Sequence, residues 1–479
     1  MKRTLLSIAA GAALLAGAPA ADAQPFPTTP PRPTGAPRVD LPEPTRMRLP
    51  NGLTVMYVRQ AELPVVSAVL VTRGAGSADE PADATGLASF TASMLDEGAG
   101  GRDALALADA LDLLGASLST GSGTDAAQTS LYVLRQNFPA ALRIMADVVT
   151  RPDFPEREVN RLRDERLTAL ARAKDEAVTI ANNAFASLVY GAQHPYGRTA
   201  NVESTQGLDR GRVQGFHASR YRPESSTLIL VGDVDPATMQ PMVAEAFGGW
   251  RGQGAAGTIG EPPAPPSIGR TVVYLIDKPG AAQSEIRIGH PGVPRSSPDY
   301  FPVLVMNTML GGTFTSRLNT NLRETHGWAY GASSSFAMLR GAGPFTARAG
   351  VQTNATDSSL VEFFREINRI RTEAVTPQEL DKIKNFVALR LPDQLETTSA
   401  MAGQLATLET YGLDASFYDD YVQRVMAVTA EDLRRVANEY VRPDRAVVVV
   451  VGDRQVVEAA VRAAGVGPVE IREVTEFVR

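Results

Sequence analysis

The chain has no cysteine, only four histidines and only two tryptophans among 479 residues. Without thiols there is no disulfide framework, no thiolate metal site and no cysteine for a lipid anchor. The histidines are His194, His217, His290 and His326, and no two lie three to five residues apart. No helix therefore offers paired imidazoles to a zinc ion. Lys and Arg number 47 against 53 Asp and Glu, for a net charge of −6, with the signs mixed along the chain. No basic run points to a nucleic acid or an anionic membrane as partner. Carboxylates are too plentiful for sequence alone to select a catalytic pair.

Other nucleophile and phosphate signatures are also missing. GAGSADE and TGSGTD carry Gly and Ser but not the strand-to-helix pattern of a serine elbow, and they read as loops. LGGTFTSRL (Leu310 to Leu318) lacks the Gly-Lys-Ser/Thr of a phosphate loop, so its glycines mark a hinge or a close backbone approach. His194 in QHPYG and His290 in GHPG sit beside proline and read as structural residues of turns. His217 falls on a helix, packing or facing solvent.

Residues 1–23 read as a secretory signal peptide: Lys2 and Arg3, an apolar run, then the small-residue site ADA with cleavage after Ala23. The run is short for a membrane span and Pro19 follows it. A periplasmic or secreted protein is expected. Residues 24–45 form a Pro-rich leader.

The remainder exceeds what one hydrophobic core usually holds. Its organisation is a duplication. YRPESSTLILVGDVD (from Tyr221) has a counterpart in VRPDRAVVVVVGDRQ (from Val441), with Pro223 to Gly232 spaced as Pro443 to Gly452. FPEREVNRLRDERLTAL (from Phe154) matches VTPQELDKIKNFVALRL (from Val375) at nearly the same offset. Repeats of about 220 residues are too long for a solenoid. Two domains are expected, 46–250 and 270–470, joined by a Pro/Gly linker at 251–269. Period-two strands, then helices, then a closing strand predict an α+β fold. Each domain is then a mainly antiparallel sheet with helices on one face. GLASFTASMLDEG (Gly86 to Gly98) reads as a helix with Leu87, Phe90, Met94 and Leu95 at helical spacing and small residues clustered between them.

Taken together, LPNGLTVMYV, GLASFTASML, HPYGR, YRPESSTLILVGDVD and NTMLGGTFTSRLNTNLRETHGWAYG span most of Leu49 to Asp453. They resemble the pitrilysin/insulinase-type zinc peptidases, or inverzincins, which include mitochondrial processing peptidase and the core subunits of the respiratory bc1 complex. Active members carry H-x-x-E-H in the GLASFTASML position: two zinc-binding His, a Glu as general base, and a further Glu ligand on a later helix. The resemblance places Ser89 and Ser93 at the two His positions and Ala92 at the base position, with Glu165 as the candidate remnant of the later ligand. Hydroxyls are poor zinc ligands and a methyl group moves no proton, so no catalytic or metal residue is expected in this chain. Arg323 and Tyr330 match the Arg and Tyr that such peptidases bring to substrate from their metal-free domain.

The expectation that follows is a non-catalytic subunit with no cofactor of its own. Its partner would be a homologous subunit carrying H-x-x-E-H and zinc, and the heterodimer would enclose unfolded peptides. The alternative is a peptide-binding or scaffold protein without a peptidase partner.

Overall fold

The computed structural model describes residues 42–479; the expected signal peptide and most of the expected leader lie outside them. Six strands form the first sheet: β1 (Thr45–Arg48), β2 (Thr54–Arg59), β3 (Val65–Arg73), β4 (Ser117–Ser122), β5 (Ala126–Leu134) and β6 (Ser226–Gly232). Their spatial order is β1-β2-β6-β3-β5-β4, antiparallel except for the β2–β6 pair. The second sheet uses β7 (Val272–Asp277), β8 (Gln283–Pro291), β9 (Ala329–Phe336), β10 (Pro344–Gln352), β11 (Val447–Gly452) and β12 (Val469–Arg472). Its order, β9-β10-β8-β11-β7-β12, is the first order reversed, with β11–β7 and β12–β7 parallel. β3 begins at Val65 and its counterpart β8 at Gln283, close to the spacing that separates the repeated sequence segments. The duplication is thus structural as well as textual, and the fold is α+β.

The central strands are apolar at nearly every position because both faces of each sheet are covered. In β2 and β6, Val55, Tyr57, Leu228 and Leu230 enter the core of the first half, while Met56, Val58, Ile229 and Val231 point the other way into a second cluster. What covers that other face is a helix from the opposite half. Helix α4 (Ala177–Tyr190) follows α1 (Leu87–Met94), α2 (Phe138–Thr150) and α3 (Glu156–Ala173) in the chain, yet it packs on β8 and β11 of the second sheet. Reciprocally, α6 (Thr398–Tyr411), which follows α5 (Thr356–Thr372), packs on β3 and β6 of the first. So helices of each domain's own cover one face, and the exchanged helix covers the face left open.

The exchange is held mainly by burial. Ile180, Phe185 and Val189 of α4 are buried with Ile276, Val447, Val449 and Val451, each contributing about 1.5–3 kcal/mol. Polar contacts add register: Ser67 Oγ lies 2.8 Å from Thr398 Oγ1, and Arg287 Nε donates to Asn182 Oδ1 at 3.0 Å. Residues 251–269 contain neither helix nor strand. They are nonetheless tied down, with Gly257 N–H donating to Ser219 O at 3.0 Å and Arg220 Nη1 to Thr258 O at 2.8 Å. Among the described residues no helix is long and apolar enough to cross a membrane.

Candidate functional site

Helix α1 starts at Gly86, which takes a left-handed φ of 97° that most side chains would resist. Its first turn is capped from upstream by buried Glu80, whose carboxylate accepts from Gly86 N–H (2.9 Å) and Ala88 N–H (3.0 Å). Anionic caps complement the free N–H groups of a helix start. Burial pushes the Glu80 carboxyl above its ordinary range, and these two N–H donors oppose the shift.

One turn on, Ser89 donates to Gly86 O at 3.1 Å and Ser93 to Ser89 O at 2.8 Å. Both hydroxyls therefore have an acceptor role left over, and one side chain takes both. Arg166, on α3, donates from Nη1 to Ser89 Oγ at 3.0 Å and from Nη2 to Ser93 Oγ at 3.3 Å. Nη1 also reaches Gly86 O at 3.2 Å, and the guanidinium carbon lies 4.9 Å from the centre of the Phe90 ring. Burial pulls the Arg166 guanidinium below its usual range, with Glu80 acting against this. Ala92, between the two serines, is fully buried.

Glu165 is not part of this arrangement. It is exposed and pairs with Arg161 at 2.8 Å. One residue along a helix is a rotation of about 100°, so the position facing the serines belongs to Arg166 and the candidate remnant ligand points to solvent. The signal was present in α3: buried Val159, then Arg166, then buried Ala173 recur every seven residues on one face. A zinc ion does not fit the residues present, since a cation already fills the space between two neutral hydroxyls. Among the described residues no three His, Asp or Glu side chains converge on a point.

Three of the four histidines spend ring nitrogens on backbone groups. His217 is buried against Tyr221, its Nε2 2.8 Å from Val149 O, and burial depresses its pKa to about 4. His290 belongs to strand β8 rather than to a turn. There its Nε2 accepts from Arg442 N–H at 3.0 Å, leaving Nδ1–H to donate to Pro291 O at 2.9 Å, with a pKa depressed to about 4 by burial. His194 accepts from Tyr196 N–H at 3.0 Å and packs on the rings of Tyr190 and Tyr196. His326 stacks on Trp328 at 4.1 Å.

The second cluster lies in the other half. Thr320–Thr325 forms a wide π-helical turn anchored from below, with buried Asn321 donating to Glu362 (2.6 Å) and Glu366 (3.0 Å) of α5. This turn lifts Arg323 to the surface, where Glu324 sits 3.3 Å from its Nε. The guanidinium carbon is 4.4 Å from the centre of the Phe314 ring and 5.4 Å from that of Tyr330. Tyr330 is 88% exposed and Phe314 63%. The reason for Tyr330's exposure is a register shift between Ala329 and Ala332 at the start of edge strand β9, which turns the side chain outward. Phe314 had no signal in the sequence beyond its place after the Gly pair. That pair does mark a close approach: a Cβ on Gly311 would stand 2.2 Å from Ser334 N.

Chemically, the first cluster is a cation gripped by neutral oxygens. The second is a half-buried cation beside two exposed rings, able to stack on and hydrogen-bond a ligand. No hydrogen bond or ion pair joins the two among the described residues. Each sheet also ends in a strand with one unpaired edge among the described residues, β4 beside α1 and β9 at Tyr330.

Two family models match the chain. Residues 55–199 match the family model for insulinase, peptidase family M16, and residues 207–387 match the model for the peptidase M16 inactive domain. An uncharacterised zinc protease of Streptomyces coelicolor is 25% identical over 425 residues, covering 86% of this chain and 90% of the relative. One from Mycobacterium leprae is 27% identical over 404 residues, 82% of this chain and 88% of the relative. Among solved structures, a peptidase M16 inactive domain from Pseudomonas fluorescens superposes with a TM-score of 0.79 at 26% identity, covering 85% of this chain and 98% of that one.

Proposed function

The chain belongs to peptidase family M16, the insulinase family, and from that premise we propose that it is the non-catalytic subunit of a heterodimeric zinc metalloendopeptidase, working outside the cytoplasm. The observation that carries this reading is the Arg166 guanidinium, 3.0 and 3.3 Å from Ser89 and Ser93, where active relatives of this kind would hold metal. A family member that cannot bind zinc between these helices hydrolyses peptides only if another chain supplies the metal, the water and the general base. The contribution of this chain is then to wall the chamber and to present Arg323 and Tyr330 to the peptide. Unpaired edges at β4 and β9 favour extended peptides, which add to a sheet by main-chain hydrogen bonds with little demand on sequence. The basic n-region, apolar run and ADA site of residues 1–23 support export.

The test is reconstitution. The mature chain alone hydrolyses no unfolded peptide; mixed with a homologous, H-x-x-E-H-bearing partner from the same cell it forms a complex whose hydrolysis stops on chelation. Chelator-sensitive hydrolysis by the pure chain would sink the proposal. A partner whose activity ignores both this chain and its Arg323→Ala variant would leave the scaffold reading standing instead.

A further inference from the structure

Arg166 has more donors than its neighbours use. A guanidinium carries five N–H groups in one rigid plane. The two Nη1 hydrogens serve Gly86 O and Ser89, and one Nη2 hydrogen serves Ser93. Nε–H and the second Nη2–H, which share the other edge of the plane, donate to nothing among the described residues. That edge is not fully sealed, because the residue is half-buried and its Nε is not among the buried unpartnered atoms.

The charge is equally unmatched. Three other arginines drawn inside each hold a carboxylate: Arg287 with Glu285 at 2.9 Å, Arg317 with Glu379 at 2.8 Å and Arg340 with Asp79 at 2.9 Å. Arg295 is clamped instead between the rings of Tyr300 and Phe417, at 3.8 and 4.6 Å. Arg166 has one ring and no carboxylate within ion-pair distance among the described residues. Glu80, the carboxylate whose charge acts on it, spends both oxygens on the start of α1. A half-buried cation without a counter-ion is costly to hold unless a ligand completes it.

We propose that the side-on edge of Arg166 is a carboxylate-binding subsite, so that the lost metal is replaced by a fixed cation which takes a carboxylate of a bound peptide. A planar, bidentate fork of this kind matches a carboxylate in geometry as well as charge. This rests on the reading that the chain receives peptides.

The test uses the mature chain without any partner and three fluorescein-labelled octapeptides followed by anisotropy. One has a free C-terminal carboxylate, one is its amide, and one is an amide carrying a single Glu. The acid binds on the order of tenfold or more tighter than the amide, and the ratio falls to about one in Arg166→Gln. Arg166→Lys keeps the charge but not the fork and falls between, with melting temperatures reported for both variants. Tight binding of the Glu-bearing amide assigns the site to side-chain carboxylates; its absence assigns it to chain termini. Equal binding of acid and amide, or a ratio that survives Arg166→Gln, overturns the subsite while leaving peptide binding intact. A purely structural guanidinium gives that result, with a lowered melting temperature alone. If no peptide binds at all, the peptide reading falls and this subsite falls with it.

Discussion

Two arginines, one in each half of the duplication, show opposite uses of the same group. Arg166 is turned inward onto two hydroxyls, a carbonyl and one ring; Arg323 is turned outward, between two exposed rings and beside one carboxylate. The helices they neighbour diverge at equivalent points. At the offset that relates β3 to β8, Ser93 in α1 corresponds to Gly311, where the missing side chain lets the backbone of Ser334 close in. If the resemblance holds and a metal once stood between these helices, its place need not be a hole. The first half has filled the place with an internal cation, and the second has kept its polar and aromatic groups at the surface.

The largest effect tests whether Arg166 is what excludes metal. S89H/A92E/S93H restores the H-x-x-E-H ligands but leaves the guanidinium between them, so metal analysis should find almost no zinc. Adding Arg166→Glu exchanges a long residue facing short ones for a short one facing long ones, and about one zinc per chain is expected. Zinc in the triple variant would break the contrast between the halves.

Acid stability comes next. His217 lies in the first half and His290 in the second, both with pKa values near 4 when folded. Each ring is neutral in the native chain and takes up its proton on unfolding, so stability falls as pH drops through the window from 6.5 to about 4. The loss is on the order of 3 kcal/mol per ring. Melting temperature against pH should show this slope in one cooperative transition, because the exchanged helices α4 and α6 bind the halves together. His217→Phe should remove about half of it. Two separate transitions would contradict that coupling.

Gly311→Ala forces a Cβ against backbone 2.2 Å away and should destabilise by about 2–4 kcal/mol. Ser93→Ala at the equivalent place in α1 removes one hydroxyl from a guanidinium with other acceptors, at about 0.5–1.5 kcal/mol. Similar values from denaturant unfolding would erase the distinction between the two positions. The smallest effect is on binding. Arg323→Ala should weaken peptide binding about tenfold and Tyr330→Phe a few-fold, with stability unchanged because both groups stand at the surface.

Much of this was legible in the chain. The helix at Leu87–Met94, the closing strands ending in Val-Gly-Asp and the doubling of the chain follow from local periodicity and self-similarity. His290 was misplaced in a turn because its Pro neighbour is the last residue of β8, where a strand end tolerates it. TGSGTD has the composition of a loop, yet Thr120 to Ser122 close β4 before the chain turns back into β5. Glu165, the candidate remnant, stands at the surface while Arg166 meets the serines, since composition does not say which side of a charged helix faces inward.

The sequence by itself determined that no helix carries two histidines at zinc-binding spacing, that the chain is doubled, and that its central strands are apolar throughout. Those are properties of residue type and spacing. Tertiary structure alone decided that the second face of each sheet is covered by the other half's helix, because an apolar strand says only that both faces are buried and not by what. It also decided that Arg166, rather than Glu165, meets Ser89 and Ser93: a contact between residues so far apart in the chain depends on how two helices are rotated against each other, and packing sets that rotation.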